Sequence, residues 1–189
     1  MIKYLKYSSF LNLIFIVILI FACKNIVKSE YPQADWSDVD YSGNNHISQK
    51  MDIYLPKNNK KKHPAVIVIY GSGWSSNNKK LSNYQKDVFV KPLTKKGFAT
   101  ISINHRSSNL DSVYPAQIHD VKAVIRFLRA KHKDYNLDTS FIGIAGYSSG
   151  GHLAALAGTS SHIPSLEGDV GNYLESVSYT HLTLPTKEG

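Results

Sequence analysis

Ser148 stands in Gly146-Tyr147-Ser148-Ser149-Gly150, with a glycine two residues to either side. The apolar run Phe141 to Ala145 precedes it and the small-residue run Gly151 to Gly158 follows it. A serine hydroxyl is a weak nucleophile until a base takes its proton and a third group orients that base. The G-x-S-x-G spacing between a strand and a helix is the setting in which a sharp turn lifts such a hydroxyl above a sheet. The turn crowds the chain on both sides of the serine, so glycine fits there. It also points the backbone N–H of Ser149 at the carbonyl oxygen of a bound ester. The helix that follows adds its positive N-terminal end.

Acyl transfer needs a second donor for the oxyanion, from a loop after an earlier strand. Gly71-Ser72-Gly73-Trp74 follows the β-branched run Ala65 to Tyr70 and occupies that place. Its small residues let backbone amides approach a developing charge. Removing one such donor typically lowers the rate by about 10²–10³. Glycine and serine are common, so either motif alone is also what an ordinary turn looks like. Their occurrence at two strand ends of one pattern points to a nucleophile with its oxyanion loop.

The elements that must position these groups follow from periodicity. Met51 to Leu55 alternates and stops at Pro56, which predicts a short strand at a sheet edge. Ala65 to Tyr70 is apolar throughout, as in a parallel strand covered on both faces. Tyr84 to Lys96 has helical spacing despite Pro92 and stops at Gly97. Phe98 to Asn104 predicts a strand, and Pro115 to Ala130 a helix with Val121, Val124, Ile125 and Leu128 in one stripe. Phe141 to Ala145 is a strand apolar on both faces, placed inside the sheet. Gly151 to Gly158 is a small-residue helix. Strand and helix alternate, which predicts an α/β fold built on a mostly parallel sheet with right-handed crossovers.

From about Met51 to Glu175 the chain resembles the α/β-hydrolases of the hormone-sensitive-lipase-like and feruloyl or acetyl-xylan esterase-like group. The matching pieces are Asp52 to Pro56, Tyr70 to Trp74, Tyr114-Pro115-Ala116, His119-Asp120 and Gly146 to Leu156. The group usually has His-Gly-Gly-Gly-Trp in the oxyanion loop; here Tyr70 replaces the histidine and Ser72 the middle glycine. The resemblance implies an α/β-hydrolase fold and a serine carboxylesterase working through an acyl-serine. It makes Ser148 the nucleophile and gives the oxyanion amides to Ser72, Gly73 and Ser149. It implies structural rather than catalytic roles for His119, Asp120, Arg126 and His152. It implies no cofactor, and no cluster with metal-ligand spacing occurs in the sequence. A serine peptidase of the same fold and a non-catalytic binding protein are the alternatives.

In this fold the acid and the histidine follow the serine in the chain. His46 and His105 precede Ser148, and His162 comes too soon after the helix. Asp169 precedes any plausible acid-bearing strand. No triad acid or histidine is therefore assigned within the 189 residues, and the chain as written is expected to be an inactive fragment. The domain is expected over 51–176. From Val177, the string Val-Ser-Tyr-Thr-His-Leu resembles one translated frame of a transposon-derived sequencing adapter, so 177–189 is expected to be a foreign tail that includes His181.

Lys3 and Lys6 followed by the apolar run Leu13 to Ala22 predict a secretory signal over 1–22. The run is short for a membrane span, which takes about 20 apolar residues; an uncleaved anchor is the competing interpretation. Cys23 is the only cysteine in the chain. Its place resembles a bacterial lipobox, which implies a lipidated N-terminus and a membrane partner, with an ordinary signal peptide as the alternative. Residues 23–50 are polar and predict a tether and a first turn. The net charge of +8 comes from short lysine clusters in polar stretches, without a basic stripe interleaved with aromatics. That pattern excludes nucleic acid as the expected partner.

Overall fold

The computed structural model describes residues 31–75, 81–109, 112–161, 163–176 and 178. The strands are β1 (Trp36–Asp40), β2 (Lys50–Tyr54), β3 (His63–Ile69), β4 (Ala99–Ile103) and β5 (Leu137–Gly146). They form one sheet in the order β1-β2-β4-β3-β5. β3 runs parallel to both β4 and β5, while β2 is antiparallel to β4 and to β1. The helices are α1 (residues 83–95), α2 (Ala116–Ala130), α3 (Ser149–Thr159) and the short α4 (Pro164–Glu167).

The two-sided apolar character of β3 is spent on two cores. Ala65, Ile67 and Ile69 face one side with Ile101, Ile103 and the buried stripe of α2, together with Leu153 and Ala157 of α3. Val66, Val68 and Tyr70 face the other side with Leu81, Phe89, Val90 and Leu93 around α1. The alternation is the period-2 geometry of a strand buried on both faces.

α1 keeps its course through Pro92. Its first turn is closed by a capping box in which Ser82 and Gln85 satisfy each other's backbone N–H groups. A π turn over Lys86–Val90 precedes the stretch Lys91–Lys95 that contains Pro92. A residue without an N–H is accommodated where the ladder is already widened.

Two expectations change. The polar stretch 23–50 is not only a tether, because β1 lies within it and pairs with β2. Its polarity is that of an edge strand with a wet face. Asp38, at φ +55°, interrupts the register, and its N–H donates to Asp52 Oδ1 at 3.0 Å. Consequently β2 is not the sheet edge, since β1 takes its outer side. β5 is also longer than the apolar run, beginning at Leu137, and among the described residues it is the outermost strand on its side. Phe141 on it is nearly half exposed. The expected signal segment and Cys23 lie outside the described residues, as does the expected tail except for Ser178. That residue is buried and donates its hydroxyl to Glu167 Oε2.

Candidate active site

The register of β3 with β5 pairs Ile69 with Gly146, so the two strands end side by side. Everything that follows these ends meets above the sheet, where open α/β folds place their ligands. From β5 the chain turns through Tyr147 and Ser148 into α3. From β3 it turns through Gly71 to Ser75.

Ser148 has φ +53° and ψ −130°, a conformation that a residue with a side chain rarely adopts, and its side chain is exposed. Such strain is of order 1–3 kcal/mol and persists only where the surroundings enforce it. They do so by crowding. A Cβ on Gly146 would stand 2.5 Å from the carbonyl of Gly150, and one on Gly150 would stand 2.2 Å from Ile69 O. A Cβ on Gly71 would lie 2.7 Å from Ser148 Cβ and 2.6 Å from Tyr147 O. Three glycines thus bring the two strand-end turns into direct contact.

The Gly71–Ser75 loop is held from several sides. Gly73 and Trp74 both have positive φ, +63° and +59°. Ser75 closes the turn by donating its N–H and its hydroxyl to Ser72 O, at 3.2 and 2.9 Å. The N–H and hydroxyl of Ser108 hold Trp74 O at 2.8 and 3.1 Å, and Ser107 Oγ donates to Ser75 O at 2.9 Å. Toward the elbow, the Ser72 N–H donates to Ser149 Oγ at 2.9 Å. Tyr147 O–H lies 3.4 Å from Gly71 O and accepts from Gln85 Nε2, which joins the elbow to the first turn of α1.

This geometry adds a contact to one of the expected oxyanion amides. Ser149 N–H is the first amide of α3 and has no intrahelical partner by position, and Gly73 N–H is in the turn beside it. The Ser72 N–H, expected to serve the oxyanion, donates to the Ser149 side chain in this structure. A G-x-S-x-G motif shows the backbone of its fourth residue but not where that residue's hydroxyl goes.

Beside the elbow lies a cavity of about 450 Å³ lined by Trp74, Ser108, Tyr114, Gln117, His152, Leu153 and Leu156. His152, one turn after Ser148, meets Trp74 edge to face at 5.5 Å and forms part of this wall. A second cavity of about 420 Å³ involves Tyr54, Lys57 and Val90. Tyr54 pairs with Thr100 near the start of β4, so that cavity is at the opposite end of the sheet.

Among the described residues, no imidazole or carboxylate bonds to Ser148 Oγ. His105 is fully buried under the oxyanion loop, stacked on Tyr70 at 6.2 Å, and its Nδ1–H donates to Arg106 O at 2.8 Å. Burial pushes its pKa below the ordinary histidine value, against the smaller opposing effects of that hydrogen bond and of Asp120. His119 holds Ser165 O, and His63 is buried at the far end of β3.

Asp120 is fully buried and receives Arg106 through its guanidinium at 2.8 Å and its backbone N–H at 2.7 Å, with Gln49 Nε2 at 2.7 Å. It therefore anchors the end of β4 to α2. Lys122, also fully buried, donates to Ser160 O at 2.8 Å and Glu167 Oε1 at 2.5 Å. Arg126 donates to the carbonyls of Glu167 and Val170 at 3.0 and 3.1 Å. Burial pushes the Glu167 carboxyl up, but hydrogen bonds from Lys122 and Ser178 outweigh it and hold the pKa below its ordinary value. These charges fasten the segment after α3 onto α2.

The BD-FAE family model matches residues 51–185, a span that contains both the oxyanion loop and the elbow. The chain belongs to the BD-FAE family. Esterase LipQ of Mycobacterium tuberculosis is 36% identical over 104 residues, which is 55% of this BD-FAE chain and 24% of LipQ. Among solved structures, a bifunctional GH43-CE protein of Bacteroides eggerthii is 47% identical with a TM-score of 0.72, over 77% of this chain and 20% of that one. A truncated carbohydrate esterase from gut microbiota is 44% identical with a TM-score of 0.74, over 82% of this chain and 56% of that one. This BD-FAE chain thus spans about a quarter of the length of LipQ and about half of the second structure. Its fold is that of the α/β-hydrolase esterases.

Proposed function

We propose that the full-length protein is a serine carboxylesterase that cleaves ester groups carried on carbohydrate. The observation that carries this reading is the strained Ser148, φ +53°, held in contact with the Gly71–Ser75 loop. A non-catalytic binding site gains nothing from that strain. Ser148 Oγ attacks the ester carbonyl while a base takes its proton. The tetrahedral oxyanion sits against Ser149 N–H and Gly73 N–H, reinforced by the N-terminus of α3. Collapse expels the alcohol, which takes the proton from the base, and leaves an acyl-Ser148. Water then attacks the acyl carbon with the same base, releases the acid and restores the hydroxyl. The base and its orienting acid belong to chain outside the described residues.

The substrate class rests on the likeness to a carbohydrate esterase and to a bifunctional GH43-CE protein. The cavity between Trp74 and Tyr114, next to the nucleophile, has room for a substrate group. The protein is exported and held at a bacterial membrane through a lipid on Cys23, on the strength of the apolar run that ends there. Hydrolysis of p-nitrophenyl acetate and of acetylated xylan, compared with cleavage of a dipeptide p-nitroanilide, tests the reaction class. Turnover of the esters with no amide cleavage is expected; preferential amide cleavage would make the protein a peptidase.

A further inference from the structure

The Ser72 amide has a single hydrogen, and it points at Ser149 Oγ from 2.9 Å. The acceptor belongs to the residue directly after the nucleophile, and Gly71 is packed against Ser148 Cβ, so the amide, the acceptor and the nucleophile share one small volume. Ser149 is itself almost fully buried, so water does not compete for the contact. The Ser72 hydroxyl is buried with no partner among the described residues, which leaves that residue's N–H as its link to the elbow.

A serine in the first turn of a helix commonly bonds its own backbone or a neighbouring turn. Ser149 instead accepts from a strand-end loop 77 residues away in the chain. Its oxygen does to the Ser72 N–H what the carbonyl oxygen of an ester would do.

The geometry points to Ser149 Oγ as an internal surrogate for the substrate oxygen, one that fills the Ser72 position of the oxyanion hole at rest and must swing away for all three amides to act. This rests on Ser148 being the nucleophile of an esterase. The motion required is small, a rotation of one χ1 to another staggered well. Ser149 is then a positioning residue, since it touches the donor rather than the ester. The reaction proceeds with two donors while the hydroxyl stays, and with three once it has turned. The hydroxyl therefore acts as a brake whose strength is one neutral hydrogen bond, equivalent to about a 2- to 10-fold change in rate.

The test uses the full-length protein and three variants, Ser149→Ala, Ser149→Cys and Ser148→Ala, each checked by thermal unfolding. Ser149→Ala removes the acceptor; Ser149→Cys keeps a side chain of similar size whose sulfur accepts weakly. Expected is a kcat on p-nitrophenyl acetate about 2- to 10-fold above wild type in Ser149→Ala, with KM nearly unchanged. The same variant should bind an alkyl phosphonate, a mimic of the tetrahedral intermediate, more tightly by a matching factor, and Ser149→Cys should fall between. A merely structural role for Ser149 would lower Tm and kcat together and would leave the ratio of phosphonate to substrate affinity unmoved. An unchanged or lower kcat in a folded Ser149→Ala overturns the proposal, since the Ser72 N–H then never serves the oxyanion. If Ser149→Ala does not fold, Ser149→Cys decides by the same criterion. Full activity in Ser148→Ala would instead sink the esterase reading itself, whereas an inactive Ser148→Ala beside a Ser149→Ala without gain would sink only the surrogate.

Discussion

Gly150 lies so close to Ile69 that a Cβ on it would stand 2.2 Å from the Ile69 carbonyl oxygen. The end of β3 and the start of α3 are therefore in backbone contact, and the nucleophile's height above the sheet is fixed by that contact. The neighbour is backbone in a paired strand and has nowhere to go. Gly150→Ala is expected to cost at least the 1–3 kcal/mol of an overpacked core, read as a lower urea midpoint. Activity of the full-length protein should fall further than the loss of folded protein accounts for, because Ser148 moves with the helix. A Gly150→Ala protein of unchanged midpoint and rate would mean the two elements are not in contact.

The pair of Arg106, a quarter exposed, with the fully buried Asp120 ties the end of β4 to α2. Arg106→Ala leaves the buried Asp120 carboxylate its hydrogen bonds from Gln49 and from the backbone N–H of residue 106 but removes its opposite charge, a loss of about 1.5–3 kcal/mol on the scale of a hydrogen bond to a charged group. Arg106→Ala should therefore destabilise far more than Lys91→Ala, which breaks an exposed pair with Asp87 worth at most a few tenths of a kcal/mol. Equal effects in denaturant titrations would show that Asp120 is rehydrated.

His105 gives a pH dependence whose sign is fixed. Its folded pKa lies below its unfolded value near 6.5, mainly through burial. The unfolded chain binds the proton first as pH drops, so stability falls below about pH 6.5 until the folded pKa is passed. Above that range both states are neutral and the contribution is flat. Urea unfolding at pH 8 and pH 5 should show this loss in wild type, and His105→Gln should reduce it. A slope that His105→Gln leaves unchanged would assign the effect to other groups.

Cys23 should carry the lipid that anchors the protein. Expressed in a bacterial host with labelled palmitate, the wild type should label and sediment with membranes, and Cys23→Ser should do neither. A labelled Cys23→Ser protein would remove the lipobox from the account.

Much of this architecture was legible in the sequence where a single period governs. β3 is apolar on both faces, and β4 is buried on both, because other elements cover both faces. α2 carries a stripe because one of its sides meets the sheet. The elbow was legible because its glycines answer to local crowding, which a five-residue motif records. β1 was not, since Trp36 to Asp40 is an edge strand whose polar face meets water. Nor was the inner place of β2, which depends on β1. The fate of the Ser72 amide depends on a side chain 77 residues away, and no local pattern encodes that contact. Asp120 was recognisable as structural only by resemblance; its partners Arg106 and Gln49 come from separate elements.

The central claim is that Ser148 is the nucleophile, and the most direct measurement is the rate of p-nitrophenyl acetate hydrolysis by the full-length protein with and without that hydroxyl. Ser148→Ala should keep its thermal unfolding temperature or gain slightly, because alanine at φ +53° is strained much as serine is. Its kcat should drop by roughly 10⁴–10⁶, the loss expected when one member of a nucleophile–base unit is removed. A folded Ser148→Ala protein that retains a tenth or more of the wild-type rate would contradict the account, because the strained turn and its glycines would then serve some other purpose.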